Sequence, residues 1–533
     1  MPQTITIDGF GGGVNQRVPA VDIADNELVD ALNMRLDGNR TLVTRPGLSS
    51  ISGSEDFATG VGSATDVIAL FYFETTGGIS KVIACTIDGI HEADANSDTW
   101  AEITPAGGLT AATRWEFAVL NDLLILSNMV DPLHTWNGTD GTAIEMEYLN
   151  ATDPGDPLSI EVMDNRLLFV DKASPNTLKW SALGNPLDHD TTGKTGKGSW
   201  NVGGAEGDSI ERIFSHRGRL FIFKSKSVYH LTPGAPAEDT SQWKIPQLLK
   251  DVGLAAPDSV QIAMDDLIFL SHTGLLSLGA TAQYGDWKQS ELSKNIPALR
   301  EWNKSRPYLV RSIIHPTERE YIISIPTGSS TVPDETWVMD FNQGAAWTRY
   351  DGDMAARAFA KVFETGVPRL YVGNDIVTRE DHSVWQDNEV NYEKLVQTKS
   401  YSLGETMRRK LFHRFGVQFE AMTDPLMVEI LYKLDQDSLK TKTINYSFAG
   451  LLTGSEWDID FWSDPDDTGS TVAAYWSTEL TDLTDLIYRI QGGPGRRAQV
   501  IDFRFRNDAN EAFALKRISL DVTLLETHKM VSE

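Results

Sequence analysis

Ala118-Val119-Leu120-Asn121-Asp122-Leu123-Leu124-Ile125-Leu126 decides the fold: two apolar runs meet at a two-residue polar turn, which is a β-hairpin signal. The same phrase returns at Val162-Met163-Asp164-Asn165 ahead of Leu167-Leu168-Phe169-Val170. It returns again at Ile213-Phe214, crossing Ser215–Arg219 into Leu220-Phe221-Ile222-Phe223, and at Ile262-Ala263-Met264-Asp265-Asp266 ahead of Leu267-Ile268-Phe269-Leu270. Apolar strands of this kind begin near Val82, Leu123, Leu167, Leu220, Leu267, Tyr321 and Leu370, at intervals of 41 to 54 residues. A further strand follows each hairpin, as in Thr177-Leu178-Lys179-Trp180 or Ser227-Val228-Tyr229-His230-Leu231. Runs apolar on both faces suit strands buried between layers. One four-stranded unit per 40 to 55 residues predicts a β-propeller of about seven blades, against a β-sandwich or unrelated hairpins as the blander reading.

The flanks differ. Residues 1–55 form a Gly-, Asp- and Asn-rich arm in which Asp25, Glu27, Leu28, Ala31 and Leu32 fit a short helix. The arm has little core of its own and is expected to pack on another domain or a neighbouring subunit. Residues 56–395 are assigned to the propeller. From 396 to 533 clean period-two alternation appears, at Phe415, Val417, Phe419, at Val428, Ile430, Tyr432, Leu434, at Ile501, Phe503, Phe505, and at Ile518, Leu520, Val522, Leu524. Half-buried strands of that kind predict a β-sandwich or platform domain, making the chain all-β.

The formal charge of −28 disfavours tight non-specific nucleic-acid binding, because phosphate contacts need Lys and Arg. Cys85 is the lone cysteine, so no intramolecular disulfide is expected. The N-terminus lacks a basic start and a signal-length apolar run, and no apolar stretch approaches 20 residues. The expectation is a soluble chain made inside the cell, without a membrane span.

No catalytic, metal or cofactor set stands out. Asp98-Thr99-Trp100 and Glu335-Thr336-Trp337 share only their last two residues with the Asp-box turn of sialidase-type propellers. The only Trp-Asp pair, Trp457-Asp458, lies outside the repeats, so the WD40 signature is missing. Asp188-His189-Asp190 is the nearest approach to a ligand cluster, and Asp464, Asp466 and Asp467 lack full calcium-loop spacing. Gly11-Gly12-Gly13 reads as a flexible linker rather than a phosphate loop. Basic residues gather late, at Arg408, Arg409, Lys410 and Arg414, then Arg496, Arg497, Arg504 and Arg506, then Lys516 and Arg517. They form either a solvated face or a docking surface for an acidic neighbour.

The arm carries a resemblance. Gly11-Gly12-Gly13-Val14-Asn15, Pro19, Asp25-Asn26-Glu27-Leu28-Val29-Asp30-Ala31-Leu32-Asn33-Met34, Asp37-Gly38 and Arg45-Pro46-Gly47 resemble the start of tail-associated virion proteins of tailed bacteriophages. With the propeller and C-terminal β domain, the chain resembles the tail nozzle (tail tubular protein B-like) of short-tailed phages. The resemblance implies a structural, non-enzymatic virion protein without cofactors. It implies a homo-oligomeric ring, a hexamer, attached below the portal-adaptor ring, with DNA only in transit and fibres or spikes docked alongside. On that reading Asn15, Asp30, Asn33, Arg45 and Pro46, with Arg408, Arg409 and Lys410, are the expected subunit or partner interface. The alternatives are a propeller glycan hydrolase or lyase, and a monomeric ligand-binding propeller.

Overall fold

The computed structural model describes the chain apart from residues 1–2, 52–65, 96, 98, 140, 148–154, 205–206, 235–237, 280–290, 404–407, 424–425, 436–439, 447–481, 490–495 and 526–533. It is an all-β protein of two compact units: Ser49–Thr336 with Asp353–Glu380, and Met1–Leu48 with Trp337–Gly352 and Asp381–Glu533. Among the described residues no helix is long and apolar enough to cross a membrane. The Asp464, Asp466 and Asp467 loop and Trp457-Asp458 lie outside the described residues.

The first unit is a seven-bladed β-propeller. Each of the seven apolar runs forms the second strand of a blade: Ser80–Cys85, Leu123–Ser127, Arg166–Asp171, Arg219–Lys224, Asp266–Ser271, Glu320–Ile325 and Val367–Gly373. Its antiparallel partner toward the axis is Ala69–Glu74, Glu116–Leu120, Pro157–Met163, Ile210–His216, Gln261–Ala263, Arg311–Ile314 or Ala358–Glu364. Among the described residues no sheet closes on itself through hydrogen bonds; the blades are joined by side-chain packing between neighbours. Leu124 and Leu126 of the second blade pack with Ile83 and Cys85 of the first, and Leu167 and Phe169 of the third with Leu120 and Ile125 of the second. The first and last blades meet through Leu70, Val82, Ala360, Val362 and Tyr371, which closes the circle. In the last blade the Ile51 N–H donates to the Val377 carbonyl at 3.0 Å. Burying a Leu, Ile or Phe is worth about 1.5–3 kcal/mol, so repeated inter-blade packing contributes substantially to stability.

The turns follow from local sequence. Asn121/Asp122, Asp164/Asn165, Arg217/Gly218, Met264/Asp265 and Thr365/Gly366 all have both residues at positive φ, the conformation of two-residue hairpins whose twist matches the strands. Asn, Asp and Gly tolerate it; Met264, with φ at 46° and 72% exposed, does not benefit from it. Met264→Asn is therefore expected to stabilise the propeller by about 0.5–1 kcal/mol, read as a higher urea midpoint at unchanged slope.

The second unit is a β-sandwich. One sheet runs in the order Asp482–Arg489, Lys410–Ala421, Phe513–Leu524, Leu42–Thr44 and Met34–Leu36, with Gln3–Asp8 also paired to Phe513–Leu524. The other runs Ala346–Tyr350, Glu27–Leu32, Lys394–Thr398, Ile501–Asn507, Leu426–Leu434 and Lys440–Tyr446. Phe415 meets Phe503 edge-on at 5.1 Å and Tyr432 at 5.4 Å, while Phe419 meets Phe505 at 5.6 Å, so the alternating residues make the inter-sheet core. Such ring pairs add about 0.5–1.5 kcal/mol each beyond area burial.

Two sequence expectations for the arm are corrected. Residues Glu27–Leu32 form a strand, not a helix, paired antiparallel with Lys394–Thr398. The Gly11-Gly12-Gly13 run is no loose linker: Gly13 has φ of +64°, and a Cβ there would lie 2.5 Å from the Trp347 backbone nitrogen. Its glycine is required by close backbone approach.

Candidate functional site

Within the sandwich unit the arm is fixed by one buried cation. Arg45 is 1% exposed and all five of its guanidinium donors have acceptors. Nε donates to Asn33 Oδ1 at 2.9 Å, and Nη1 to the Pro46 carbonyl at 3.0 Å. Nη1 and Nη2 hold the Asp387 carboxylate bidentately at 2.9 and 2.6 Å, and Nη2 also reaches the Asp351 carbonyl at 3.3 Å. The guanidinium carbon sits 3.8 Å from the Tyr392 ring centroid, with Lys394 Nζ 4.4 Å from the same ring. Burial alone would depress the Arg45 pKa, but the Asp387 carboxylate, Tyr392 and Tyr350 together outweigh it and raise it. Among the described residues Lys394 forms no ion pair; burial first, then Arg45, pushes it down to about 8 against the pull of Glu511, Asp387 and Asp508.

Asn33 is the second element of the hub. It is fully buried at φ of 54°, a left-handed position Asn tolerates. Its amide donates to Asp351 Oδ1 and, at 2.7 Å, to the Glu393 carbonyl, while its Oδ1 also accepts the Asp351 N–H at 3.1 Å. Gly47 follows because a Cβ there would lie 2.2 Å from the Gln386 carbonyl oxygen. The arm motif is thus a set of backbone-satisfying and charge-satisfying contacts.

Asn15 donates to Glu27 Oε2 at 2.9 Å, and Asp30 pairs with Arg349 at 2.7 Å. Pro46 is half-buried. Arg408 Nε donates to the Leu525 carbonyl at 2.5 Å, and Arg409 is exposed. Lys410 is buried, donating to the Arg408 and Gln499 carbonyls at 3.0 Å each. Asn33, Arg45 and Lys410 are therefore enclosed by their own chain and hold its interior together. Asp351, Asp387, Tyr392 and Lys394, which complete the hub, were not singled out from the sequence.

The propeller unit has its own charged centre, also unanticipated. Asp258 gathers Arg114, at 3.1 Å, Arg212, at 2.5 Å, and Arg311, at 3.0 Å. Arg114 also pairs with Glu116, whose Oε2 accepts the Ile160 N–H at 2.7 Å. Arg311 spreads its remaining donors over the Val310, Ile68 and Thr113 carbonyls. One carboxylate thereby ties together residues from the second, fourth and sixth blades.

Asp188-His189-Asp190 is a turn. Asp188 accepts from the Asp190 and Thr191 N–H groups at 3.0 and 2.9 Å, and His189 Nε2 lies 3.1 Å from the Pro186 carbonyl. Burial pushes His189 down to about 4, which favours a neutral packed ring. Among the described residues no three His, Cys, Asp or Glu side chains converge as a metal site.

One buried pair reports on pH. His315 Nε2 lies 3.0 Å from Glu380, with Glu320 and Glu318 nearby. Burial lowers the imidazole pKa, but the Glu380 hydrogen bond and charge outweigh it, so the folded pKa is raised above 6.5. The pair's stabilisation is complete below the unfolded pKa of 6.5 and is lost as pH rises through the higher folded value. Thermal melts from pH 6 to 9 are expected to fall for the native chain more than for His315→Gln; parallel curves would refute the pairing.

The class defined by these sheets is a β-propeller joined to a β-sandwich. No family model and no curated protein matches the chain. Solved structures do: YCF48 from Cyanidioschyzon merolae is 12% identical over 63% of this chain and 99% of its own, with a TM-score of 0.37. The extracellular domain of the putative hybrid two-component system BT3049 from B. thetaiotaomicron is 9% identical over 71% of this chain and 46% of its own, at 0.38. The WD40 propeller domain of Doa1 is 11% identical over 60% and 93%, at 0.36. Likenesses this distant carry no argument about activity.

Proposed function

We propose that this chain is a structural subunit of a bacteriophage tail, a nozzle that closes as a ring of six copies below the adaptor and conducts DNA during ejection. The observation that carries the reading is the arm. The residues by which it resembles nozzle proteins, Asn15, Asp30, Asn33, Arg45 and Gly47, each make a specific contact in the sandwich unit. A motif of that kind fits a platform whose geometry must be reproducible from copy to copy. The buried ionic centre of the propeller favours a rigid body over a catalytic mouth. A chain with 75 acidic against 47 basic residues suits a conduit, since DNA passes an acidic wall without sticking. On this reading the protein resides in the virion, is not an enzyme, and meets the adaptor ring and fibres or spikes as partners.

Cryo-electron microscopy of the purified chain, alone and with adaptor rings, tests the proposal. A closed sixfold ring with an open axis is the expected result. A monomer under both conditions, with sugar release from host-surface glycans, would replace the nozzle by a propeller hydrolase.

A further inference from the structure

The sandwich unit has an open sheet edge that ends in a basic cleft. Gln3–Asp8 pairs with Phe513–Leu524 in the register Gln3↔Val522 to Asp8↔Arg517, and no other described strand pairs with it. Its sequence, Gln-Thr-Ile-Thr-Ile-Asp, alternates exposed polar with more buried apolar residues and has strong β propensity. It contains neither Lys nor Pro, the residues that usually protect a free edge from pairing with another chain.

At the Asp8 end of the strand lies a cleft of about 480 Å³ lined by Asp8, Arg40, Thr41, Gln418, Lys516 and Arg517, among others. Asp8, Arg517 and Gln418 form a row across three adjacent strands. Arg40 is presented from a fixed turn: Asp37 Oδ1 accepts the Asn39 and Thr41 N–H groups at 2.8 and 2.7 Å, and the Arg40 carbonyl accepts the Phe10 N–H at 2.9 Å. Several cations of this unit meet carboxylates of their own chain, as in Arg45–Asp387, Arg349–Asp30, Arg414–Asp521 and Arg506–Glu393. Arg40 and Arg517 are exposed, and among the described residues no carboxylate lies in ion-pair range of either. Arg40 and Arg517 against Asp8, with amide and hydroxyl donors beside them, match carboxylate oxygens.

We infer that this edge and cleft form the contact for a second copy of this chain. An extended acidic segment of the neighbour adds to Gln3–Asp8 as the next strand, and its carboxylates seat against Arg40 and Arg517. Charge complementarity selects that occupant, because every copy carries a formal −28. A heterologous contact of this kind, repeated, closes a ring. The inference rests on the ring reading above and names the surface that makes it.

Sedimentation velocity of the full chain in 50 and 500 mM NaCl is the experiment, comparing the native chain, Arg40→Glu/Arg517→Glu, and the charge-matched control Lys226→Glu/Arg319→Glu in the propeller. The expected result is salt-sensitive assembly in the native chain and control, and at least tenfold weaker assembly in the cleft variant. Thermal melts should coincide, since among the described residues the cleft arginines form no ion pair. Native-like assembly of the cleft variant would overturn the site while leaving the ring reading intact. A native chain that stays monomeric in both salts would overturn this contact, and the adaptor-ring experiment then decides the ring reading separately.

Discussion

Replacing Asp258 with alanine is expected to destabilise the propeller by about 3–5 kcal/mol, the usual cost of removing one partner from a buried ionic cluster. The native carboxylate faces Arg114, Arg212 and Arg311; without it Glu116 still pairs with Arg114, and Glu161 still acts electrostatically on Arg212. Arg311 is the group most exposed to that loss. Arg114 keeps Glu116, whereas the Arg311 pKa is already lowered, by burial first and by its two neighbouring guanidiniums. Deleting one excess cation should therefore restore part of the stability, and Asp258→Ala/Arg311→Met is expected to lose less than the two single losses summed. Calorimetry resolving the propeller transition would measure all four corners of the cycle. An Asp258→Ala loss under 1 kcal/mol would mean the arginines find other acceptors and the cluster is incidental. The pH dependence adds an independent check. Burial would raise the Asp258 pKa, but Arg114, Arg311 and Arg212 together hold it well below the ordinary 3.8. Its stabilisation is complete above that ordinary value and lost only as pH falls through the depressed one, so acid unfolding should start elsewhere.

The propeller was legible because two independent signals coincide, the 41-to-54-residue period and the Asn/Asp/Gly turns with their positive φ. Its ionic centre was not, although a weak signal existed. Arg114, Arg212 and Arg311 all lie at or near the start of the innermost strands of alternate blades, which aligning the blades would have exposed. The arm was misread for a specific reason. Leu28, Ala31 and Leu32 have helical spacing, yet the segment is a strand with a register shift between Leu28 and Asp30. The shift moves the buried positions out of period two and imitates an amphipathic helix. The motif also identified Asn33 and Arg45 without identifying what they touch, since Asp351 and Asp387 lie more than 300 residues away along the chain.

Arg45→Lys is the sharper of two tests of the hub, because it keeps the charge and removes the geometry. A guanidinium offers five donors in a planar fork, and here all five are used; an ammonium offers three on a compact head. Lysine can still reach Asp387 or the Asn33 oxygen but not the whole set, and it loses the guanidinium's contact over the Tyr392 ring at 3.8 Å. Each buried acceptor left without a donor costs about 1–3 kcal/mol, so Arg45→Lys is expected to destabilise the sandwich unit by about 2–4 kcal/mol. Arg45→Met should cost more, about 3–5 kcal/mol, because it strands the Asp387 carboxylate, which is itself buried. Neutralising that carboxylate in the same background, Arg45→Met/Asp387→Asn, should recover part of the loss, whereas a purely steric role for Arg45 predicts no recovery. Hydrogen exchange of the Glu27–Leu32 and Lys394–Thr398 strands reads the effect locally, since both border the hub through Asn33 and Lys394. Unchanged protection there in Arg45→Lys would show that charge alone holds the arm and that the five-donor fit is dispensable.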